Sequence, residues 1–420
     1  MLFIQASKGR EEKEKGQTKM QNLLLQILMG HFFFVMGQVH QYEFIDTTKS
    51  WEEAQKYCRS NYTDLATVPN VKFMKKLQNT INGTAGGEAW IGLYNKPQPT
   101  QTWRWSQPEM EMDAVPWATD EPNNKEGPEN CGFISDKVLV GDIKCSSKRK
   151  FVCYDEKQQG HDKFYFSDIE VKWEDAQNEC RNRSINSELV SGNTQLDEIK
   201  IYPGINFTES ESKYWIGLFQ DTWRWSDNSN SSYRNWKTFC ENDNPEKKCD
   251  ETCAAVILEE KTGKWTQTDC SKAQPFFCYK DNTILQKDEK SWDEAFRYCR
   301  KKHSDLVSIV SLEDQSWIQE KVKNASTEYV WLGLQYSCSL DLWFWLNDMI
   351  SEEDLFEEGR PECDTVVAMS KEGKYKMVRK SENKKYNFIC SLNYSDTGQG
   401  LSFYGLQCAK DDEDAALKYP

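Results

Sequence analysis

Short apolar runs recur three times along this chain in the same order. Trp90-Ile91-Gly92-Leu93, Trp215-Ile216-Gly217-Leu218 and Trp331-Leu332-Gly333-Leu334 are apolar and β-prone, the pattern of a buried strand. The glycine inside each marks close approach of a neighbouring backbone. Downstream, Trp103-Arg104-Trp105, Trp223-Arg224-Trp225 and Trp343-Phe344-Trp345 alternate large rings on one face, as a half-buried strand does. Upstream, Trp51-Glu52-Glu53-Ala54, Trp173-Glu174-Asp175-Ala176 and Trp292-Asp293-Glu294-Ala295 lead to Cys58, Cys180 and Cys299. Trp, Ala and Cys at i, i+3 and i+7 share one helix face, and the acids fall in the first turn, where the helix dipole favours them. Each unit closes on Phe151-Val152-Cys153, Phe276-Phe277-Cys278 or Phe388-Ile389-Cys390. The helix cysteines lie 122 and 119 residues apart, the length of a whole domain and too long for a solenoid repeat. The aromatic positions read as core, three times over.

Composition narrows the chemistry. A length of 420 residues matches about three domains, each large enough to bury its own core. With 67 acids against 53 bases the formal net charge is −14, which disfavours nucleic acid and anionic lipid as partners. Fifteen cysteines at repeating spacings indicate an oxidising compartment. Only four histidines are present, and no paired Cys-x2-Cys set suggests zinc. Gly-rich phosphate loops, His-Glu-x-x-His and Gly-x-Ser-x-Gly are absent, and no nucleophile–base pair is visible, so the chain reads as a non-enzyme.

The N-terminus carries Lys8, Arg10, Lys13, Lys15 and Lys19 ahead of an apolar run from Leu23 to Met36. That arrangement reads as a secretory signal peptide cut near Gly37, with the protein secreted. The alternative is an uncleaved segment anchoring it to a membrane, although the run is short of the roughly 20 residues a span requires. Asn61, Asn82, Asn182, Asn206, Asn230, Asn324 and Asn393 each open an Asn-x-Ser/Thr sequon and point to a glycoprotein.

The repeated order of Trp/Cys helix, Trp-Ile-Gly-Leu strand, Trp-x-Trp strand and closing Phe-x-Cys resembles the C-type lectin-like domain, over residues 42 to 391. The resemblance implies an α+β fold in three tandem domains. Each has two helices, small antiparallel sheets and a long ligand loop, and the array is similar to that of macrophage mannose receptor-like proteins. The expected division is signal peptide 1–37, domains 38–157, 158–280 and 281–392, and an acidic polar tail 393–420. The resemblance also implies the bridges Cys58–Cys153, Cys131–Cys145, Cys180–Cys278, Cys253–Cys270 and Cys299–Cys390. Cys240 and Cys249 are left to pair across a short loop. Cys338 and Cys363 are left to pair because Lys380 stands near the usual partner position. Cys408 is odd, either a free thiol or a link between chains.

Between Trp117 and Cys145 the first repeat carries Glu121-Pro122-Asn123, Glu129 and Asp142. Calcium is a hard cation that takes six to eight oxygens, and these are oxygen side chains. Their spacing resembles the sugar-binding calcium site of mannose-type lectins, in which the peptide bond before the proline is cis. The resemblance assigns Glu121, Asn123, Glu129 and Asp142 as ligands of both calcium and carbohydrate. One position departs: Val140-Gly141-Asp142 stands where the family has Trp-Asn-Asp, so Gly141 lacks an amide. On the family geometry Gly141 faces the ion, and Gly141→Asn is expected to restore a ligand. The second repeat reads Asn242-Asp243-Asn244-Pro245-Glu246 and Trp265-Thr266-Gln267, and the third has acids at Glu352, Glu353, Asp354, Glu357 and Glu358 without the motif. Neither is expected to bind sugar. The expectation is therefore calcium-dependent binding of mannose-type glycans or glycoproteins through the first domain. The alternative is an array of the same scaffolds binding protein ligands without sugar.

Overall fold

The computed structural model describes residues 39–392, apart from 82–85, 96–101, 109, 111, 113, 126, 203–212, 238–251, 260–261, 340–341, 347–361, 364 and 372–375. The first repeat contributes β1 (His40–Lys49), α1 (Trp51–Asn61), β2 (Asp64–Leu65), α2 (Val71–Gln78), β3 (Glu88–Asn95), β4 (Thr102–Trp105), β5 (Cys131–Ile134), β6 (Val140–Ile143) and β7 (Lys150–Asp155). The second contributes β8 (Phe164–Phe166), α3 (Trp173–Arg183), β9 (Ser187–Leu189), α4 (Asn193–Lys200), β10 (Tyr214–Asp221), β11 (Trp223–Trp225), β12 (Thr252–Ile257), β13 (Trp265–Asp269) and β14 (Gln274–Asp281). The third contributes β15 (Thr283–Lys290), α5 (Trp292–Lys302), β16 (Asp305–Leu306), α6 (Leu312–Val322), β17 (Tyr329–Ser337), β18 (Leu342–Trp345), β19 (Thr365–Ser370), β20 (Met377–Ser381) and β21 (Tyr386–Ser391). The fold is α+β.

Local chemistry explains the helices. Ser50 and Ser291 cap α1 and α5, each in a reciprocal capping box with Glu53 or Glu294 at the third helical position. Trp51, Ala54 and Cys58 are the buried face of α1, and Trp292, Ala295 and Cys299 that of α5. The helix tryptophans donate their indole N–H to a strand carbonyl: Trp51 to Ile91 at 2.8 Å, Trp173 to Ile216 at 2.7 Å and Trp292 to Leu332 at 2.8 Å. The strand tryptophans Trp90, Trp215 and Trp331 are fully buried, and each donates in turn to a carbonyl of the segment before the helix: Lys49, Val171 and Lys290. Every buried indole N–H in this set is therefore satisfied, which is what makes such large rings stable in a core. The strand glycine is there for space. A Cβ on Gly92 would meet the Leu65 carbonyl oxygen at 3.0 Å, and one on Gly333 the Leu306 oxygen at 2.7 Å.

Three seven-stranded sheets follow one plan, but only the third is built from one repeat. Its order is β15-β21-β17-β19-β20, with β18 paired to β17 and β16 to β21. The first sheet has the order β1-β14-β3-β12-β13, with β11 on β3 and β2 on β14. It takes its first half from repeat one and its second half from repeat two. The second sheet, β6-β5-β10-β7-β8, with β4 on β10 and β9 on β7, takes the complementary halves. Residues 40–95 and 223–281 thus make one lectin-like module, and residues 102–221 make another as a continuous stretch. The crossings fall at residues 96–101, outside the described residues, and at Thr222.

This corrects two expected bridges and the expectation that 38–157 and 158–280 fold as self-contained domains. Cys58 pairs with Cys278, and Cys153 with Cys180; the pairs Cys58–Cys153 and Cys180–Cys278 are not formed. The physical reason is strand pairing. With β1 laid along β14, Glu43 stands opposite Cys278, and Leu65 of β2 pairs with Cys278 from the other side. Cys153 is likewise flanked by Tyr165 and Leu189 of the second repeat. Cys131–Cys145, Cys253–Cys270, Cys299–Cys390 and Cys338–Cys363 are formed as pairs. Cys240, Cys249 and Cys408 lie outside the described residues.

The described residues divide into two compact units, one up to residue 281 with 309–321, the other 282–308 with those from 322 onward. The first holds both interleaved modules. Polar networks stitch their halves together. Arg59 bonds Asp64 at 3.1 Å, while Ser226 from the other repeat donates to Asp64 at 2.6 Å. The second module repeats the device: Arg181 bonds Glu188 at 2.6 Å, and Ser106 donates to Glu188 at 3.1 Å. The sequence carried a signal for this network, since an arginine follows each helix cysteine and a serine follows each of the first two Trp-Arg-Trp strands.

Candidate calcium and carbohydrate site

The loop after β4 reaches the site through backbone pairing. Val140 at the start of β6 accepts from Ala118 N–H at 2.7 Å and donates to the Pro116 carbonyl at 2.9 Å, which holds Trp117 alongside it. The Trp117 and Trp103 rings pack at 5.1 Å, tying the loop to β4. The Cys131–Cys145 bridge closes the β5–β6 hairpin on the other side. A residue of the second repeat completes the frame: Gln220 N–H donates to the Asn130 carbonyl at 2.9 Å.

The structure brings Glu121, Asn123, Glu129 and Asp142 together in one hydrogen-bonded loop, with the Glu121–Pro122 bond cis. Asp142 is buried and accepts from Asn123 N–H at 2.9 Å and Asn124 N–H at 3.3 Å. Its own N–H donates to the Glu121 carboxylate at 3.4 Å. Glu129 is buried and accepts from Lys125 N–H at 2.7 Å, and the Asn123 side-chain oxygen accepts from the same N–H. Asn124, which the sequence reading passed over, closes the turn. It adopts φ 47°, tolerable for Asn, and its side-chain oxygen accepts from Glu129 N–H at 3.1 Å. The Asn-Asn pair after the proline was the available signal.

Burial pushes the Glu121 carboxyl up to about 7, helped by a hydrogen bond between its carboxyl and that of Asp142 and by the charges of Asp142 and Glu129, while the Asp142 N–H pulls it down. Such crowding of acids is relieved by a cation. The donors are oxygens of the kind calcium takes, so the chemistry of the set fits that ion. Among the described residues no group of three or more His, Cys, Asp or Glu side chains is arranged to hold a metal ion. The carboxylates are instead engaged by loop N–H groups.

Gly141 does not face this cluster. It sits opposite Phe133 in the β5–β6 pair, and an added Cβ would meet the Phe133 ring at 2.7 Å. Alternation along β6 turns position 141 to the face opposite Asp142. The expectation that Gly141→Asn restores a ligand is therefore corrected. That substitution is expected to cost about 1–3 kcal/mol by overpacking. It should leave calcium affinity no better than the parent's, as read by urea unfolding and calcium titration of the same samples.

In the second repeat, Trp265 is buried in β13 and Gln267 pairs with Ala254, while residues 242–246 lie outside the described residues. The acids at 352–358 of the third repeat also lie outside them.

A tandem array of disulfide-stapled α+β modules with an oxygen-rich loop defines the class. The family model for the lectin C-type domain matches residues 47–155, 169–280 and 288–392. The chain belongs to the C-type lectin domain family. It is similar to human C-type mannose receptor 2, 25% identical over 361 residues, covering 73% of this chain and 24% of that protein. It is also similar to the human secretory phospholipase A2 receptor, 24% identical over 363 residues with 71% and 24% covered. Rat L-selectin is 32% identical over 120 residues, 27% of this chain and 31% of that one. The chain thus spans about a quarter of the length of the receptors it matches. Among solved structures, human lithostathine is 20% identical and covers 26% of this chain and 89% of its own, with a TM-score of 0.24.

Proposed function

We propose that this chain is an extracellular, non-enzymatic glycan-binding protein that takes mannose-type sugars, with calcium, through the loop from Trp117 to Asp142. The observation that carries the reading is the convergence of Glu121, Asn123, Glu129 and Asp142 on one loop closed by Asp142. These four residues would hold the ion. Bound calcium supplies a centre that accepts vicinal sugar hydroxyls as further oxygens. The carboxylates of Glu121 and Glu129 accept hydrogen bonds from those hydroxyls, and the Asn123 amide donates to them. The Cys131–Cys145 hairpin and Gln220 keep the loop in register. The second and third repeats serve as scaffold without sugar. Glycosylation suits the described sequons, since Asn61, Asn182, Asn230 and Asn324 are all exposed. Among the described residues no helix is long and apolar enough to cross a membrane.

The second reading, a protein-binding array, is favoured by one observation: the carboxylates of Asp142 and Glu129 are already engaged by loop N–H groups. Calorimetric titration of the full chain with calcium, then with mannose, separates the two. Binding of both, abolished by Glu121→Ala, is the expected result. Neither calcium uptake nor mannose binding by the parent leaves the protein-binding array as the better account; mannose binding that survives Glu121→Ala removes the sugar from this loop.

A further inference from the structure

The interleaving of the first two repeats has a local cause. In the third repeat β17 turns back into β18, with Leu334 opposite Trp345 and Ser337 opposite Leu342, leaving four residues for the loop. The same register recurs across the exchange: Leu93 stands opposite Trp225, and Leu218 opposite Trp105. Had β10 turned back on β11 in that register, Gln220 would face Trp223 and only Asp221-Thr222 would remain for the turn. Two-residue hairpin turns need positive φ, which favours Asn-Gly and disfavours a β-branched residue such as Thr. Here β10 instead runs straight on, with Asp221 still in strand opposite Thr102.

The rest of the molecule is close to indifferent. The Trp–carbonyl bonds, the Arg–acid–Ser networks and the sheet order are the same in either arrangement, because both modules follow one plan. Exchange of equivalent elements changes little but the links. A buried ion pair then fixes the open link. Asp221 is bonded by Arg234 at 2.7 Å, with both side chains almost wholly buried.

We infer that the two-residue link Asp221-Thr222 is the device that forces exchange between the first two repeats. It thereby decides which of two complete pairings Cys58, Cys153, Cys180 and Cys278 adopt. The first link, at residues 96–101, is long enough to close either way and follows the second. The third repeat, with its four-residue loop, keeps its own Cys299–Cys390 bridge.

The test is disulfide mapping of the full chain secreted in oxidised form. The parent is expected to yield Cys58–Cys278 and Cys153–Cys180. Inserting Asn-Gly between Asp221 and Thr222 restores a four-residue loop and retains the Arg234 partner. It should lower the exchanged fraction to below about one half, with Cys58–Cys153 and Cys180–Cys278 appearing in its place. Should that variant not be secreted, Asp221→Asn with Thr222→Gly provides the turn without added length. Cys299–Cys390 serves as the internal control in every sample. Unexchanged bridges in the parent overturn the inference. So does a folded variant of either kind that keeps the parent's bridges.

Discussion

Arg234→Ala is expected to lower the stability of the first unit by about 3–5 kcal/mol, the usual cost of stranding a buried partner charge. Arg234 is 3% exposed. It bonds both oxygens of Asp221, at 2.7 and 3.3 Å, and donates to the carbonyls of Ser231, Tyr233 and Trp223. Its own backbone carbonyl accepts from Arg181, so this residue ties the crossing strand through its side chain and the helix of the second module through its backbone. Removing it strands the Asp221 carboxylate and takes a donor from three carbonyls, of which that of Ser231 keeps the Trp225 indole N–H. Replacing both partners, Arg234→Met with Asp221→Leu, should recover much of the loss, because apolar groups of similar volume carry no desolvation cost. Urea unfolding followed by tryptophan fluorescence measures both. A loss below about 1 kcal/mol for Arg234→Ala would place the pair among weak surface bridges and contradict its burial.

Acid sensitivity with an onset near neutrality is the second expected result, and it belongs to His40. The imidazole is fully buried, with neither ring nitrogen hydrogen-bonded. It packs against the rings of Tyr42, Phe73, Tyr279 and Trp317. Burial holds its pKa well below the usual histidine value, and the positive charges of Lys76 and Lys321 lower it further. The native state therefore keeps His40 neutral while the unfolded chain binds a proton near pH 6.5. Stability is unaffected above that pH. It falls below it by up to about 1.4 kcal/mol per pH unit until the native pKa is reached. His40→Phe keeps a ring among rings and removes the proton. Comparison of the two chains between pH 7.5 and 5 should show a divergence that grows with acid; parallel curves would mean that His40 reaches water.

Glu121 acts in the opposite sense, and its effect should appear only without calcium. Its folded pKa, raised to about 7, means that the native state holds a proton which the unfolded chain has already lost. Metal-free stability from this group is present below the ordinary carboxyl value near 4.5 and is lost as pH rises through 7. Glu121→Gln should flatten that limb of the stability profile, measured in chelator.

Much of this protein was legible in its residues. The i, i+3, i+7 pattern of Trp, Ala and Cys gave the faces of α1, α3 and α5, because helix geometry alone puts those positions together. Trp-Ile-Gly-Leu gave the central strand of each sheet, and its glycine gave the close approach at Leu65 and Leu306. Glu121, Asn123, Glu129 and Asp142 gave the loop, since their spacing survives any rearrangement of the modules around it. The direction of Gly141 was not legible, because it depends on which face of β6 meets Phe133.

What the sequence determined by itself is the module: its helices, strands and core, encoded in contacts that recur from repeat to repeat. What only the tertiary structure decided is which half joins which. Two repeats with the same complementary surfaces offer two pairings with nearly the same contacts, and a pattern of residues cannot rank them. The choice falls to the link Asp221-Thr222 between Leu218 and Trp225, which is too short for a four-residue loop and carries a β-branched residue where a two-residue turn needs positive φ. With it go the partners of Cys58, Cys153, Cys180 and Cys278, because disulfides join the cysteines that strand pairing brings together.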